Sequence, residues 1–211
     1  MKNFNFPFIL TAIFVFSTAV ICAADHKSKT IIPNVPIGVE PQHSWFGIQD
    51  GIYFYNKDEP YYEFTNFYPA LIRLDEKEWP RTEHYFQAQK FPDNPSLQDQ
   101  IRQQKSAREV FSLARKYKPT RRKDWNKIKV QVIIKIKKAK MVQHPEIKKM
   151  LLQTAQRTIV ENAGKNDAWW GAGADGTGKN MLGRVLMYVR SALQDKEEKC
   201  ILDQPIESFK N

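Results

Sequence analysis

Residues 70–91, ALIRLDEKEWPRTEHYFQAQKF, contain the change from strand to helix around which the rest of the chain is arranged. The apolar run Ala70–Leu74 is typical of a strand, and the polar residues Asp75–Glu78 that follow are typical of a turn. Trp79 begins a return strand, which Pro80 then ends. The stretch therefore predicts a small β-hairpin that is followed at once by a helix.

Helix signals dominate the chain after this hairpin. Thr82 is expected to cap a helix over Glu83–Phe91, and Ser106 with Glu109 has the spacing of a capping box. Apolar residues spaced three and four apart predict one long helix over residues 121–141. Two further helices are expected, from Pro145 to Leu152 and from Leu182 to Leu193 with Asn180 near its cap, and a further strand is expected at Ile52–Tyr55.

The composition is that of a folded protein with an excess of positive charge. The chain has 211 residues, 42% of them hydrophobic and 27% charged, so one domain or two small ones are expected. With 33 Lys and Arg against 23 Asp and Glu, the formal net charge is +10, which favours polyanionic or phosphorylated partners. Two cysteines exclude a disulfide scaffold, and without a Cys/His array they exclude a zinc finger.

The amino-terminal segment has the features of an export signal. Lys2 precedes the apolar run Phe8–Cys22, which is shorter than the roughly 20 residues of a membrane span and ends among small residues. We therefore expect a signal peptide over residues 1–24 and a secreted or otherwise exported protein, with no stable membrane span after cleavage. An uncleaved membrane anchor is the alternative. The rest of the chain is divided into an extended leader (25–50), a domain (51–194) and a polar tail (195–211).

A glycine cluster between Gly171 and Gly178 matches two phosphate-binding patterns in spacing alone. Its first three glycines have the spacing of a dinucleotide fingerprint, but no buried strand precedes them. The P-loop spacing that ends at Lys179 lacks the hydroxyl that a magnesium ion needs, because residue 180 is asparagine. Two interpretations remain, a flexible loop whose backbone amides approach a ligand and a purely structural turn.

A basic run extends from Arg115 to Lys140, with twelve cations and a single acid, Asp124. Such a surface attracts phosphates or nucleic acid at low salt. Only Tyr117 and Trp125 are interleaved as aromatic residues, and Trp125 is in phase with the apolar face of the predicted helix. We expect the run to steer phosphorylated substrates; a merely solvated helix face is the alternative.

Glu83, Gln87 and Lys90 lie at positions i, i+4 and i+7 of the predicted helix and therefore share one face. That places a carboxylate, an amide and an ammonium group in a row. Glu83 lies in the first turn, where the helix dipole favours an anion, so it suits a base or a stabiliser of positive charge better than a proton donor. An ordinary exposed helix face is the alternative.

These features occur together and in the same order as in one known family. The matching blocks are Phe54-Tyr55, Phe64-Thr-Asn66-Phe67, Trp79-Pro-x-Thr-Glu83-His-Tyr-Phe-Gln87-Ala-Gln-Lys90-Phe, Trp125, Leu151-Leu-x-Thr154, Val160-Glu161, Asn166-Asp167-x-x-Trp170-Gly171 and Gly178-Lys-Asn180-x-Leu182-Gly183-x-x-Leu186-Met187-x-x-Arg190. On these residues, which span about 50–194, the chain resembles the YbiA-like, or NADAR, family of N-glycosidases.

The resemblance implies an α+β domain, mostly helical, with a small antiparallel sheet. It also implies hydrolysis of an N-glycosidic bond to a phosphorylated ribose, since family substrates include early riboflavin-pathway intermediates and ADP-ribose attached to guanine. The expected partner is a phosphorylated riboside or an ADP-ribosylated substrate, including ADP-ribosylated nucleic acid. Family members are generally cytosolic, so the export signal is a departure that favours another ribosylated substrate over a housekeeping role on riboflavin intermediates.

The family motifs also indicate the site residues. Glu83 and Asp167 are the expected catalytic carboxylates. The expected substrate-binding residues are Asn66, Phe67, Gln87, Lys90, Trp125, Trp170, Gly171, Gly178, Asn180 and Arg190. No cofactor and no metal are expected, because the four histidines show no ligand spacing. Two other functions stay open, an ADP-ribose- or NAD-binding module without turnover and a basic nucleic-acid-binding protein.

Overall fold

In the part of the chain that the structure describes, the strands are only three residues long and form two separate pairs, while α-helices supply most of the regular secondary structure. The structure is a computed structural model that describes residues 44–195 and has an α+β architecture in a single domain. Its strands are β1 (Ile52–Phe54), β2 (Ile72–Leu74), β3 (Lys77–Trp79) and β4 (Ile159–Glu161). Its helices are α1 (Thr82–Ala88), α2 (Pro95–Arg102), α3 (Ala107–Lys116), α4 (Trp125–Gln143), α5 (Pro145–Gln153) and α6 (Met181–Gln194).

The predicted hairpin is confirmed, but its return strand begins at Lys77 and ends at Trp79 instead of beginning there. β2 and β3 are antiparallel, with Ile72 opposite Trp79. Asp75 and Glu76, which connect them, both have positive φ angles of 52° and 60°. Two consecutive residues of this kind give the tight turn whose twist matches that of a β-hairpin.

The second pair was not predicted. β1 and β4 are parallel, with Ile52 opposite Ile159 and Phe54 opposite Glu161. β4 is too short to show a period of two, and its partner lies more than 100 residues earlier in the chain. The pairing therefore depends on tertiary contacts, and it carries the buried Glu161 to the region occupied by α1 and α4.

The start of α1 differs from the prediction in one respect. Arg81, rather than Thr82, is the N-cap, and Thr82 is the first helical residue. The Thr82 hydroxyl is engaged elsewhere, because it donates to the carbonyl oxygen of Asn66 at 3.0 Å. The capping box at the start of α3 is confirmed, with Ser106 and Glu109 each accepting from the other's backbone N–H.

The long helix α4 starts four residues later than predicted and ends two residues later. The Arg122 backbone N–H donates to the carbonyl oxygen of Lys90 at 2.9 Å, and the preceding Lys118–Thr120 turn is a 3-10 helix. This contact draws residues 121–124 toward the end of α1 and keeps them out of the helix. α4 then packs against α1, α5 and α6, and its Ile133, Ile136 and Met141 are fully buried.

Two lysines of the basic run, Lys137 and Lys140, are buried in the core rather than exposed on the surface. The Lys137 Nζ donates to the carbonyl oxygen of Phe64 at 2.6 Å. The Lys140 Nζ donates to the carbonyl oxygens of Glu63 and Thr65 at 2.6 and 3.1 Å. The two ammonium groups therefore fix the segment that leads to Asn66, and part of the run is structural rather than a phosphate-steering surface.

Residues 44–50, the described end of the segment that we assigned to a leader, form turns against the domain. Trp45 is buried against Val160 and Ala172, and its indole N–H donates to the carbonyl oxygen of Gly178 at 2.6 Å. The predicted signal peptide, residues 25–43 of the leader and residues 196–211 of the tail lie outside the described residues. In the part of the chain that is described, no helix is both long and apolar enough for a membrane crossing.

Candidate active site

The site is built around Glu83, in the first turn of α1. Its side chain is buried, and Gln87 one turn later donates from Nε2 to Glu83 Oε1 at 2.7 Å. Asn66 closes the start of the helix, since its carbonyl oxygen accepts from the Glu83 backbone N–H at 3.1 Å. The alternative interpretation, in which these residues lie on an ordinary exposed helix face, is therefore wrong.

Burial raises the pKa of the Glu83 carboxyl above its usual value. The Gln87 amide, the Lys90 and Lys137 ammonium groups and the Asn66 side chain all act in the opposite direction, because they favour the ionised form. The expected influence of the helix dipole is thus outweighed by desolvation. Glu83 nevertheless remains a carboxyl group surrounded by donors.

A group of aromatic side chains lies beside this carboxyl group, and we call its members Phe86, Trp169 and Trp170 the aromatic wall. Phe86 contacts Trp125 and Trp170, with ring centroids 4.9 and 5.4 Å apart, and Trp170 contacts Trp169 at 4.5 Å. The Lys90 Nζ lies 5.5 Å from the ring centroids of both Phe86 and Trp125. Trp125 is buried beneath this wall, whereas Trp169 and Trp170 are half-buried. The two half-buried indoles are therefore the better stacking surface for a base.

Four cations form what we call the basic patch: Lys90, Arg121, Lys129 and Lys179. The Lys129 Nζ lies 3.3 Å from the ring centroid of Trp169. The charge of Arg121 contributes to a lowered pKa at both Lys90 and Lys129, and that of Lys179 does so at Lys129. Mutual repulsion of this kind requires that the charges lie close together. Burial is the larger cause and lowers the pKa of Lys90 to about 8.

Asp167 fixes the loop that carries the two indoles. Its Oδ1 accepts from the backbone N–H groups of Trp169 and Trp170 at 2.9 and 2.7 Å. The charge of Asp167 also acts on Glu161, whose pKa it helps to raise, and on Lys129. Asp167 therefore reaches the site, and it has an orienting role that its position in the sequence did not indicate.

The glycine loop is tightly packed against its own backbone. A Cβ atom on Gly171 would lie 2.9 Å from the carbonyl oxygen of Glu161, and one on Gly178 would lie 2.6 Å from that of Gly171. The N–H groups of Ala172 and Gly178 already donate to carbonyl oxygens, of Glu161 at 2.9 Å and of Ala172 at 2.7 Å. These contacts favour the structural turn over a cradle of free amides.

Asn180 and Arg190 also hold the fold together. Asn180 Oδ1 accepts from the Glu161 backbone N–H at 2.9 Å, and its Nδ2 donates to the carbonyl oxygen of Ile159 at the same distance. The Arg190 guanidinium donates to Thr154 Oγ1 at 2.7 Å and to the carbonyl oxygen of Arg157 at 2.8 Å. Asn180 thus joins β4 to the start of α6, whereas Arg190 joins α6 to the segment after α5.

Glu161 was not among the predicted site residues. It is almost fully buried at the end of β4, and burial together with the charges of Asp167 and Glu83 raises its pKa to about 8, against the effect of Lys137. Burial lowers the pKa of Lys137 to about 7, while Glu161 and Glu83 oppose that change. The sequence feature that could have indicated Glu161 is its position directly after the apolar pair Ile159–Val160, because a charged residue that is buried in such a run requires a partner.

Two exposed aromatic side chains lie outside these contacts, Phe67, which was predicted for the site, and Tyr55, which was not. Phe67 and Tyr55 are 42% and 41% exposed. Burial raises the pKa of the Tyr55 hydroxyl, and the charges of Glu161 and Asp167 add to that effect, so Tyr55 lies near these two carboxyl groups. Within residues 44–195, no group of three or more His, Cys, Asp and Glu side chains is placed to hold a metal ion.

The structure gathers most of the expected site residues but not all of them. Contacts or charge interactions link Asn66, Glu83, Gln87, Lys90, Trp125, Asp167 and Trp170. Gly171, Gly178 and Asn180 frame the adjoining backbone. Among the contacts of the described residues, those of Arg190 join it to Thr154 and Arg157 rather than to this cluster.

Known proteins match the chain over this same region. A model of the NADAR domain family matches residues 53–194. The N-glycosidase YbiA of Escherichia coli (strain K12) is 42% identical over 142 residues, which are 67% of this chain and 88% of that protein. A riboflavin biosynthesis protein of Vibrio vulnificus (strain YJ016) is 41% identical over 148 residues, and the match spans 70% of this chain but only 40% of that protein.

The fold is also similar to a solved structure. The NMR structure of the E. coli protein YbiA has a TM-score of 0.64 and 40% sequence identity. It covers 75% of this chain and 91% of the YbiA chain. The similarity therefore extends over nearly the whole of that smaller protein.

Proposed function

Because the chain belongs to the NADAR domain family, we propose that it is an N-glycosidase that hydrolyses the bond between a base and a phosphorylated ribose. The observation that carries this proposal is the buried Glu83 carboxyl, which lies beside the Gln87 amide and the Lys90 ammonium group. The names of the E. coli and Vibrio relatives support N-glycosidase chemistry and a link to riboflavin biosynthesis.

The reaction requires a carboxylate near C1′ of the ribose. Breaking the bond from C1′ to nitrogen leaves positive character on the sugar ring, which a nearby anion stabilises while water attacks. Glu83 fits this role because four groups favour its ionised form in an otherwise desolvated position. Asp167 is proposed to assist from the loop, where one of its oxygens already orients the indoles of Trp169 and Trp170.

The basic patch and the aromatic wall are proposed to bind different parts of the substrate. Lys90, Lys129 and Arg121 are proposed to bind the phosphate, since ammonium and guanidinium groups make charge-assisted hydrogen bonds to phosphate oxygens. The half-buried Trp169 and Trp170 or the exposed Phe67 are proposed to stack on the base. A phosphorylated riboside satisfies both surfaces, whereas a neutral nucleoside leaves the basic patch unused.

The substrate classes are those of the family, an early riboflavin-pathway intermediate or ADP-ribose attached to guanine. The test is incubation of the full chain with a panel of ribosides with and without 5′-phosphate, followed by mass spectrometry of the released base and sugar phosphate. We expect release only from the phosphorylated members. Binding of ADP-ribose without release of any base would overturn the proposal in favour of a binding module.

One observation favours nucleic acid as the carrier of the modified base. Phe111 and Tyr117 are 48% and 38% exposed, and Tyr117 lies between Lys116 and Lys118 at the end of α3. Exposed rings among cations are suited to stacking on single-stranded bases. Binding of an unmodified single-stranded oligonucleotide, with a steep loss of affinity as salt rises, would support this partner; no binding at low salt would exclude it.

A further inference from the structure

Glu161 is a buried carboxyl group that the roles proposed for Glu83 and Asp167 leave without a function. Glu161 is the last residue of β4, and its backbone N–H donates to Asn180 Oδ1 at 2.9 Å. Glu161 Oε2 is buried without a hydrogen-bond partner among the described residues. A buried polar atom that is left unpaired is destabilising, so Glu161 Oε2 is suited to a hydrogen-bond partner from a bound substrate.

Gln87 carries a second unpaired atom. Gln87 Oε1 is also buried without a partner in the described part of the chain, although Gln87 Nε2 is held by Glu83. Glu83 and Glu161 interact through their charges, and both act on the Lys137 ammonium group. The two unpaired oxygens therefore belong to one polar cluster rather than to two isolated packing faults.

The surroundings of the two glutamates differ in how many groups favour the anion. Burial raises the pKa of Glu83, but Gln87, Lys90, Lys137 and Asn66 all act against that change. At Glu161 only Lys137 favours the anion, while Asp167 and Glu83 disfavour it, and burial raises the pKa of Glu161 to about 8. The nearby Tyr55 hydroxyl is a neutral group there, because its own pKa is raised. The ionised form therefore has more support at Glu83 than at Glu161, which makes Glu161 the better candidate for a proton donor and Glu83 for a proton acceptor.

We propose that Glu161 is a further catalytic residue, the general acid that protonates the departing nitrogen of the base. The proposal rests on the proposed function, since it names the proton donor of that same reaction. As the bond from C1′ to nitrogen breaks, its electron pair stays on the nitrogen, which takes the proton of the Glu161 carboxyl. A water oxygen bonds to C1′ and gives its proton to Glu83. Proton exchange with solvent then restores both glutamates, so that one water is consumed and no oxidant or reductant is needed.

The test uses Glu161→Gln in the full chain, with two probes whose leaving groups differ in their need for a proton. These are N-phenylribosylamine 5-phosphate, whose aniline must take a proton to leave, and nicotinamide mononucleotide, whose pyridinium base departs as a neutral molecule; both are measured together with the substrate that the panel identifies. With the aniline probe and the panel substrate, kcat is expected to fall about 10²-fold or more, which is the usual size of an acid–base contribution. With nicotinamide mononucleotide, which needs no proton on its leaving nitrogen, the loss is expected to stay below about 10-fold.

The pH profile supplies the second readout. Because a general acid must carry its proton, wild-type kcat is expected to fall as pH rises through about 8. That alkaline limb is expected to vanish in Glu161→Gln and to remain in Lys90→Met, although Lys90 titrates in the same range. A merely structural Glu161 would lower kcat on every substrate and leave the shape of the profile unchanged, and that result would overturn the proposal.

Failure of the inference and failure of the proposed function give different results. If the wild type releases no base from any riboside, the proposed function and this inference both fall. If the wild type is active while Glu161→Gln retains the alkaline limb, only the assignment of Glu161 falls. If Glu161→Gln does not fold, measurements on the wild type alone still test the assignment of Glu161. An alkaline limb in the wild-type kcat with the aniline probe that is absent with nicotinamide mononucleotide supports the assignment, whereas the same profile with both probes means that no acid assists departure.

Discussion

Gln87 donates a hydrogen bond from its Nε2 to Oε1 of Glu83 over 2.7 Å, and both side chains are buried on one face of α1. The bond fixes the orientation of the amide, so that its Oε1 is left as a buried acceptor without a partner in the described part of the chain. A hydroxyl of the ribose is the kind of donor that such an acceptor requires. The pair therefore combines a carboxyl group with a hydrogen-bond acceptor that could receive a hydroxyl of the substrate proposed above.

The first prediction concerns Glu83→Gln, which keeps the size and removes the charge. We expect a folded protein whose kcat falls about 10²-fold or more, by analogy with other acid–base contributions, while binding of ADP-ribose changes far less. The readout is turnover of the panel substrate beside calorimetric binding. Asp167→Asn should also be impaired and keeps an acceptor at Oδ1 for the indole loop, and the double variant should lose less than the product of the two. Unchanged turnover in folded Glu83→Gln would remove this residue from the mechanism.

The second prediction concerns the phosphate. Burial lowers the pKa of Lys90 to about 8, so this side chain loses its charge as pH rises through that value. We expect KM for a phosphorylated riboside to rise above pH 8, and Lys90→Met to raise KM about 10-fold or more at pH 7, since a hydrogen bond to a charged group is worth about 1.5–3 kcal/mol. Lys127→Met is the matched control, because Lys127 is exposed on α4. An equal effect of both variants would point to general charge rather than to a phosphate site.

The hairpin and most of the helices were predictable because their signals are local. The turn at Asp75–Glu76, the capping box at Ser106 and the proline at the start of α5 each specify structure through neighbouring residues. α2 was missed, although Asn94 caps it and Pro95 begins it, because only Leu97 and Ile101 supply its buried face. Two apolar residues in eight give too weak a period to stand out.

Site residues were predictable from the sequence only where they belong to a recognisable motif. Glu83, Gln87 and Lys90 share one face of the predicted helix, and the family blocks added Asp167 and Trp170. Lys129, Lys179 and Glu161 depend on tertiary contacts, because α4, the glycine loop and β4 converge from distant parts of the chain. Lys137 and Lys140 show the same limit, since periodicity alone does not distinguish a buried lysine that binds carbonyl oxygens from an exposed one.

The third prediction concerns Gly171, which has no room for a side chain. A Cβ atom there would lie 2.9 Å from the carbonyl oxygen of Glu161 and 3.0 Å from that of Asp167. Both are backbone atoms, so Gly171→Ala must displace the residues that carry the two carboxyl groups. We expect a loss of about 1–3 kcal/mol in the free energy of unfolding, as for other overpacked sites, and a larger fall in kcat than in substrate binding. Chemical denaturation beside kinetics measures both, and wild-type values would contradict the packing argument.

The fourth prediction concerns the proposed export signal. Its apolar run Phe8–Cys22 and the small residues near Ala24 favour cleavage before Asp25. Protein purified from its native source should therefore begin at or near Asp25, and amino-terminal sequencing checks this directly. An intact Met1 on the protein from a soluble cytosolic fraction would contradict the proposal of export.

The fifth prediction concerns the stability of the buried Glu161. Its pKa of about 8 in the folded protein is above the roughly 4.3 of an unfolded chain, so the folded state holds an additional proton between these pH values. The contribution of Glu161 is therefore complete below about pH 4 and is lost as pH rises through about 8. Glu161→Gln cannot ionise, so the Tm of this variant should increase relative to that of the wild type as pH rises from 5 to 6, below the range in which Lys90 and Lys137 lose most of their charge. Glu59→Gln, at an exposed position, should track the wild type across the same range, and a constant difference between Glu161→Gln and the wild type would mean that Glu161 is already ionised at pH 5.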